Sequence, residues 1–194
     1  HRTALISRKT RETEITLSID LDGRGASEIA TGVGFLDHML ELFSRHALID
    51  LKVACKGDVQ IDDHHSTEDI GICLGQAIDQ ALGNRAGIRR YGHAILPMDE
   101  TLVTCAVDLG GRPFWVWNAP MPSPKIGTFD SELIADFWHA VCTNGRMNLH
   151  VLLQYGRNTH HISEAIFKGL ARTIRDAAEP DPRSSGVPST KGVL

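Results

Sequence analysis

The chain has 194 residues and no apolar run near the roughly 18 that a membrane span requires, and its opening residues carry the expectation of no signal peptide. It carries no positive excess either. Its 20 Lys and Arg stand against 24 Asp and Glu, a net charge of −4, so the basic face that bulk nucleic-acid binding needs is missing. Four cysteines, Cys55, Cys73, Cys105 and Cys142, lie far apart with no C-x-x-C pair. That spacing excludes a thioredoxin-type motif and a thiolate zinc site, and it reads as reduced residues of a cytoplasmic protein. There is no P-loop, and no repeat with a period of about 20–50 residues. What is present, 42% hydrophobic and 23% charged residues, fits one globular domain or two small halves sharing a core. Histidine is the outlier: ten residues, several in tight clusters.

Periodicity divides the chain into two similar halves. Ile15, Leu17, Ile19 and Leu21 alternate as a strand. Thr31-Gly32-Val33-Gly34 then punctuates the chain ahead of a helical stripe of Phe35, Leu36, Met39, Leu42 and Phe43. Ile49, Leu51, Val53 and Cys55 alternate again. From His65 to Leu82, Ile70, Cys73, Leu74, Ala77, Ile78 and Ala81 draw one helical face, ended by Gly83. The order then returns. Val103, Cys105, Val107 and Leu109 alternate, Asp130 to Cys142 reads as helix, and Met147 to Leu153 alternate. Ile162, Ala165, Ile166, Leu170 and Ile174 stripe a last helix from His161 to Ala177. Three prolines make Ala119–Lys125 a loop. The expectation is an internal duplication, 1–93 and 94–194, within one compact catalytic domain.

The repeat is sharpest at His64-His65-Ser66-Thr67-Glu68 and His160-His161-Ile162-Ser163-Glu164, two H-H-x-x-E motifs 96 positions apart. In each, the Glu lies four residues after the first His and three after the second, so either ring can share a helix face with it. Neighbouring helical side chains point about 100° apart, so one pair does not close both rings on a single ion. Two pairs suit two ions, each ion taking one ring from each pair. One motif alone is equally well read as exposed histidines with a helical ion pair; two copies in matching positions favour ligands. His38, beside Asp37 as a carboxylate able to orient its ring, and His150, pointing away from the apolar face of Met147, Leu149 and Val151, bring the imidazoles to six. With Glu68 and Glu164 they divide into two sites of three nitrogens and one oxygen. Such a set, without thiolates and with room for water or substrate, suits a six-coordinate Mn2+-type ion, with zinc as the fallback. His93 and His139 read as structural, and His46 as a supporting or substrate-contacting ring. Arg89-Arg90, Arg112, Lys168 and Ser189-Thr190-Lys191-Gly192 are singly ordinary surface groups and together suit a phosphate.

At these residues the chain resembles the imidazoleglycerol-phosphate dehydratase family. The matching segments are Arg8-Lys9-Thr10-Arg11-Glu12-Thr13, Gly32 to Met39, Gly57-Asp58 to Asp69, Pro97-Met98-Asp99-Glu100, Gly156 to Lys168 and Pro188 to Gly192. They span essentially the whole chain, and the linked I-D-D-H-H-x-x-E-D and H-H-I-x-E-A-x-F-K carry the specificity. Ser66 stands where the family commonly has Thr, and the 119–130 loop has no match. The resemblance implies an α+β subunit of two similar halves, each a four-stranded sheet packed with helices. It implies a hydro-lyase of histidine biosynthesis that converts D-erythro-imidazoleglycerol phosphate to imidazole acetol phosphate plus water. Two Mn2+ ions would bind the substrate ring as imidazolate, and Glu12 would be the general acid–base group. The resemblance further implies Arg90, Arg112, Lys168, Ser189 and Lys191 as a phosphate clamp and Asp99 as a contact to the substrate hydroxyls. It implies a homo-oligomer of 24 subunits with metal sites between subunits; the acidic balance and the lack of a long apolar run add the expectation of no nucleic-acid or membrane partner. A dinuclear metal-dependent hydrolase and a non-catalytic metal-binding shell protein are the alternatives. The first usually carries more carboxylates than this set, and the second leaves Glu12 and the clamp without a purpose.

Overall fold

The alternating segments become strands because one side of each is buried. Thr13, Ile15, Leu17 and Ile19 point inward from one strand, and Thr101, Val103, Cys105 and Val107 from its counterpart. A computed structural model describes all 194 residues. The first half runs β1 (Thr3–Lys9), β2 (Thr13–Asp20), β3 (Ser27–Ala30), α1 (Gly34–Ala47), β4 (Asp50–Gly57) and α2 (His64–Leu82). The second begins with β5 (Tyr91–Met98), β6 (Thr101–Asp108) and β7 (Phe114–Asn118), then inserts a small hairpin of β8 (Lys125–Ile126) and β9 (Phe129–Asp130). It finishes with α3 (Leu133–Gly145), β10 (Asn148–Tyr155) and α4 (Thr159–Ala178). The fold is α+β, with strand order β1-β2-β4-β3 in one four-stranded sheet and β5-β6-β10-β7 in the other. In each sheet the last-named strand pairs parallel to its neighbour and the other pairings are antiparallel.

Three strands, β1, β3 and β5, escape the alternation reading. All lie at sheet edges, where little is buried: β1 buries only Ala4, and no residue of β3 or β5 is fully buried. Pro97 is tolerated in β5 for the same reason, since an edge strand has no second ladder to break. α2 ends at Leu82 and β5 starts at Tyr91. α3 starts at Leu133 rather than Asp130, because Phe129 and Asp130 pair with Ile126 and Lys125 in the inserted hairpin.

The helices lie between the sheets. α1 and α2 pack on the first sheet and α3 and α4 on the second, while α1 meets α4 and α2 meets α3 across the middle. α2 approaches α3 closely through Gly71 and Gly75, where a Cβ would lie 2.7 Å from Phe137 O and 2.8 Å from Val141 O. At the matching positions α4 carries Phe167 and Ala171, and Phe167 stacks on Phe137. Arg85, buried to 1% exposure, ties the halves together. It donates to the carbonyls of Leu109, Arg146 and Gly145 and pairs with Asp79 at 2.7 Å. The outer sheet faces stay open, leaving Leu5, Tyr91, Ile95, Phe114 and Leu152 exposed. No helix is long and apolar enough to cross a membrane. Both H-H-x-x-E motifs open a helix, each beside the first hairpin turn of its own half.

Candidate metal centre and anion cavity

In the first half, His64 Nε2 lies 3.0 Å from Glu68 Oε2 on the same face of α2. His65 points elsewhere, toward the β1–β2 turn. Its Nδ1 is 2.7 Å from Asp58 Oδ2 and 3.4 Å from Glu12 Oε2. A carboxylate only accepts, so Nδ1 carries the proton and the neutral ring offers Nε2 as a donor of its lone pair. The hydrogen bond to Asp58 pushes the His65 pKa up, aided by the charges of Asp58, Glu12 and Asp62. Glu12 is held in place from behind: Asp58 N donates to Glu12 O at 3.1 Å, and Thr13 Oγ1 donates to the buried Asp69 of α2 at 2.6 Å. The donor atoms of Glu12, Asp58 and His65 fall within 4.8 Å of one another.

The second half repeats the pair. His160 Nε2 lies 3.0 Å from Glu164 Oε2, and His38 Nε2, brought in on α1, lies 3.8 Å from Glu164 Oε1. These three residues also gather their donor atoms within 4.8 Å. Glu164 is buried, and Lys168 reaches back one turn to its Oε1 at 3.5 Å. His161 gives its Nδ1 proton to Glu100, and its Nε2 faces outward with only the exposed Asp99 3.7 Å away. Asp37 does not orient His38. It accepts from Thr31 N and Oγ1 instead, closing the turn that starts α1.

A cavity of about 680 Å3 collects Arg90, Arg112, Ser189 and Lys191. Arg90 is fixed there by Asp108, 2.7 Å from its Nε, and by a bond from Nη1 to Pro188 O at 2.8 Å, which also anchors the C-terminal segment. Converging cations and a hydroxyl would suit an anion, although Arg90 is already paired with Asp108 and the C-terminal Leu194 also lines the cavity. This cavity and the His160 group lie at opposite ends of α4. Arg90 N donates to Ala177 O, 17 residues beyond His160, which is about 26 Å along the axis. Lys168 is not in the cavity but beside Glu164. His46 lies near it, and burial together with the charges of Arg172 and Lys168 lowers its pKa. The first sheet's open face holds a larger cavity, about 920 Å3, but none of the clustered histidines lines it.

The family model for imidazoleglycerol-phosphate dehydratase matches residues 31–174. The chain belongs to the imidazoleglycerol-phosphate dehydratase family. It is 61% identical over 193 residues to the imidazoleglycerol-phosphate dehydratase of Rhodopirellula baltica, covering 100% of this chain and 96% of that one. It is 57% identical to that of Cereibacter sphaeroides over the full length of both. Among solved structures, the imidazoleglycerol-phosphate dehydratase of Staphylococcus aureus superposes with a TM-score of 0.85 at 41% identity, over 92% of this chain and 99% of that chain. The Pyrococcus furiosus structure gives 0.80 at 34% identity, over 97% and 100%. The family is one of hydro-lyases, and the chain is an enzyme of that class.

Imidazoleglycerol-phosphate dehydratases thus provide the frame for the side chains above. The structure brings together His38, His160 and Glu164, pairs His64 with Glu68, and sets Glu12 against His65. It keeps His150 apart, on the open face of the second sheet in register with Ala106 and Val116. His93 shares that row, and His139 stacks on Trp115. Three carboxylates were missed. Asp58 and Glu100 each hold the second ring of a pair. Asp136, 98 positions after His38, lines a small cavity with His64 and Glu68. That offset aligns buried Leu36, Met39, Leu40 and Phe43 of α1 with Ile134, Phe137, Trp138 and Val141 of α3, a signal present in the sequence. The donor set fits a divalent ion that takes nitrogen and oxygen. Asp58 Oδ1 is buried without a partner. Thiolates take no part, because burial pushes Cys73 and Cys142 up to about 11 and Cys105 up to about 12.

Proposed function

We propose that the chain dehydrates D-erythro-imidazoleglycerol phosphate to imidazole acetol phosphate, a step of histidine biosynthesis, at a two-metal centre shared between copies of the chain. The observation that carries this reading is the duplicated His–Glu pair, 3.0 Å in both halves, in a chain 57–61% identical to proteins named for that reaction. Mn2+ suits the nitrogen- and oxygen-only donors. His38, His160 and Glu164 would hold one ion; His64 and Glu68, with Asp136 in the place of His38, the other. His65 and His161, with Nδ1 tied and Nε2 free, are the rings available to complete each ion's shell. His150 is left outside this arrangement.

Bound there, the ions would supply Lewis acidity and a template for the substrate's imidazole. The chain's own residues do the rest. Arg90, Arg112, Ser189 and Lys191 bind the phosphate. Glu12, protonated at the outset, gives its proton to the departing hydroxyl, which leaves as water, and the resulting carboxylate takes the proton from the neighbouring carbon; Asp99, exposed at the β5–β6 turn, contacts the substrate hydroxyls. The enol formed then tautomerises to the ketone. About 26 Å along α4 separates His160 from Ala177, where the backbone of Arg90 is anchored, longer than one ring, three carbons and a phosphate, which supports one substrate drawing these groups from different copies. Lys168 joins the clamp from such a neighbour. A closed 24-subunit shell is the assembly we infer, with the exposed apolar side chains of the sheet faces as contact surface.

Metal-stripped protein is expected to lose turnover of imidazoleglycerol phosphate and its large-particle elution together, and to regain both with Mn2+. An assembled, Mn2+-loaded protein without turnover sinks the catalytic reading.

A further inference from the structure

In the second half, the β5–β6 turn sends Glu100 over the entry to α4. Its Oε2 accepts the backbone N–H groups of Arg157 at 2.8 Å and Asn158 at 3.2 Å and the hydroxyl of Thr101 at 2.6 Å, while Oε1 accepts from His161 Nδ1. Four donors converge on one carboxylate. They hold its pKa far below the usual carboxylate range, the Arg157 N–H foremost. Asn158 then caps α4 by accepting from His161 N at 3.0 Å. Gly156 lets the loop pass Thr101, whose Oγ1 would lie 2.6 Å from a Cβ there. One side chain therefore fixes both the backbone leading into His161 and the ring itself.

We propose that Glu100 is a positioning residue for His161, holding its Nδ1–H tautomer and ring plane so that Nε2 stays aimed outward as a donor to a divalent metal ion. The inference rests on the reading of His161 as a ligand. The first half supplies the contrast. Aligning Thr13 with Thr101 puts Glu12 in the position of Glu100, 88 residues earlier, yet Asp58 holds the ring of His65 at 2.7 Å and the Glu12 carboxylate stands off from it at 3.4 Å. The duplication has left one turn glutamate bonded to its ring and to the helix entry, and the other only in a longer contact with its ring.

The test is a Mn2+ titration of the metal-stripped full chain, read by calorimetry or by loss of the free-Mn2+ EPR signal. Glu100→Ala is expected to weaken one class of site about 10–100-fold and leave the other at wild-type affinity. Glu100→Gln, able to accept from the ring or from the loop but not both, is expected to fall between. A folded Glu100→Ala chain with both classes unchanged overturns the inference. So does a loss shared by both classes with a lowered Tm, which marks a scaffold role alone. If Glu100→Ala does not fold, Glu100→Gln decides by the same criteria. His161→Ala separates the underlying reading. Wild-type affinity in both classes there removes His161 from the ligand set, whereas a loss there and none in the Glu100 variants removes only the positioning role.

Discussion

In the first half His64 stands 3.0 Å from Glu68, and in the second His160 stands 3.0 Å from Glu164, yet the two carboxylates live in different surroundings. The Glu68 side chain is 47% exposed; that of Glu164 is 12% exposed, between His38 and Lys168. The second rings diverge further, His65 resting on Asp58 from the end of β4 and His161 on Glu100 from the β5–β6 turn. Helix spacing preserved the ion pair, because i and i+4 meet wherever a helix forms. Loops supply the other partners, and loops were free to change. The copy with a second carboxylate, Asp58, on its ring is the copy whose turn glutamate, Glu12, stands 3.4 Å off that ring, which suits the proton transfer we propose for it.

The largest expected effect follows from that asymmetry. Glu12→Gln should lower kcat about 10²–10⁴-fold with Mn2+ affinity and particle size unchanged, since Glu12 supports neither the loop nor the ring by itself. Steady-state kinetics beside a Mn2+ titration check it. A Glu12→Gln enzyme that keeps a tenth or more of wild-type turnover breaks the contrast between the two turn glutamates.

Next in size is the pair Glu68→Ala and Glu164→Ala. Each should weaken one class of Mn2+ site about 10–100-fold. Only Glu164→Ala should also destabilise the metal-free chain, by about 1–2 kcal/mol, because it strips the carboxylate from Lys168 and His38. Thermal melts of the stripped proteins distinguish the two. Equal melting temperatures would mean that the burial of Glu164 carries no energetic weight.

Much of this was legible in the sequence. The duplication, the four central strands, all four helices and both His–Glu pairs follow from alternation, helical stripes and spacing. The edge strands were not, since they bury little: β5 turns Gly92, Ala94, Leu96 and Met98 inward, but none of them is fully buried. Glu12 needed the family resemblance, because a polar residue ahead of a strand has no periodic signature. Asp58 and Glu100 depend on turns meeting helix starts, contacts 7 and 61 residues apart that no local pattern encodes. Asp136 was recoverable, but only by laying one helix over its copy rather than reading each alone.

The smallest effect lies in the loops ahead of the two parallel strands. Asp50 Oδ1 accepts the N–H groups of Arg24 and Ala26, both at 2.9 Å, in front of β3. Its counterpart 98 residues on, Asn148, donates from Nδ2 to Arg112 O at 2.9 Å in front of β7 and so steadies a residue of the anion cavity. One tether is an ionised acceptor and the other a neutral donor. The N–H groups of Arg24 and Ala26 lower the Asp50 pKa below its ordinary 3.8. Its contribution is therefore complete above that value and is lost as pH falls through the lower, folded-state pKa. Asp50→Asn keeps an acceptor but not the charge, and should lower Tm at pH 7 by about 2–4 °C, about 1 kcal/mol for a partly solvated group. The difference from wild type should shrink below pH 3.8, while Asn148→Ala should give an offset with no acid dependence of its own. Melting curves at pH 7, 5 and about 3 read both. A gap between Asp50→Asn and wild type that stays constant into acid would mean that the charge on Asp50 is spectator to its hydrogen bonds, and that the two halves tether these loops by the same neutral chemistry.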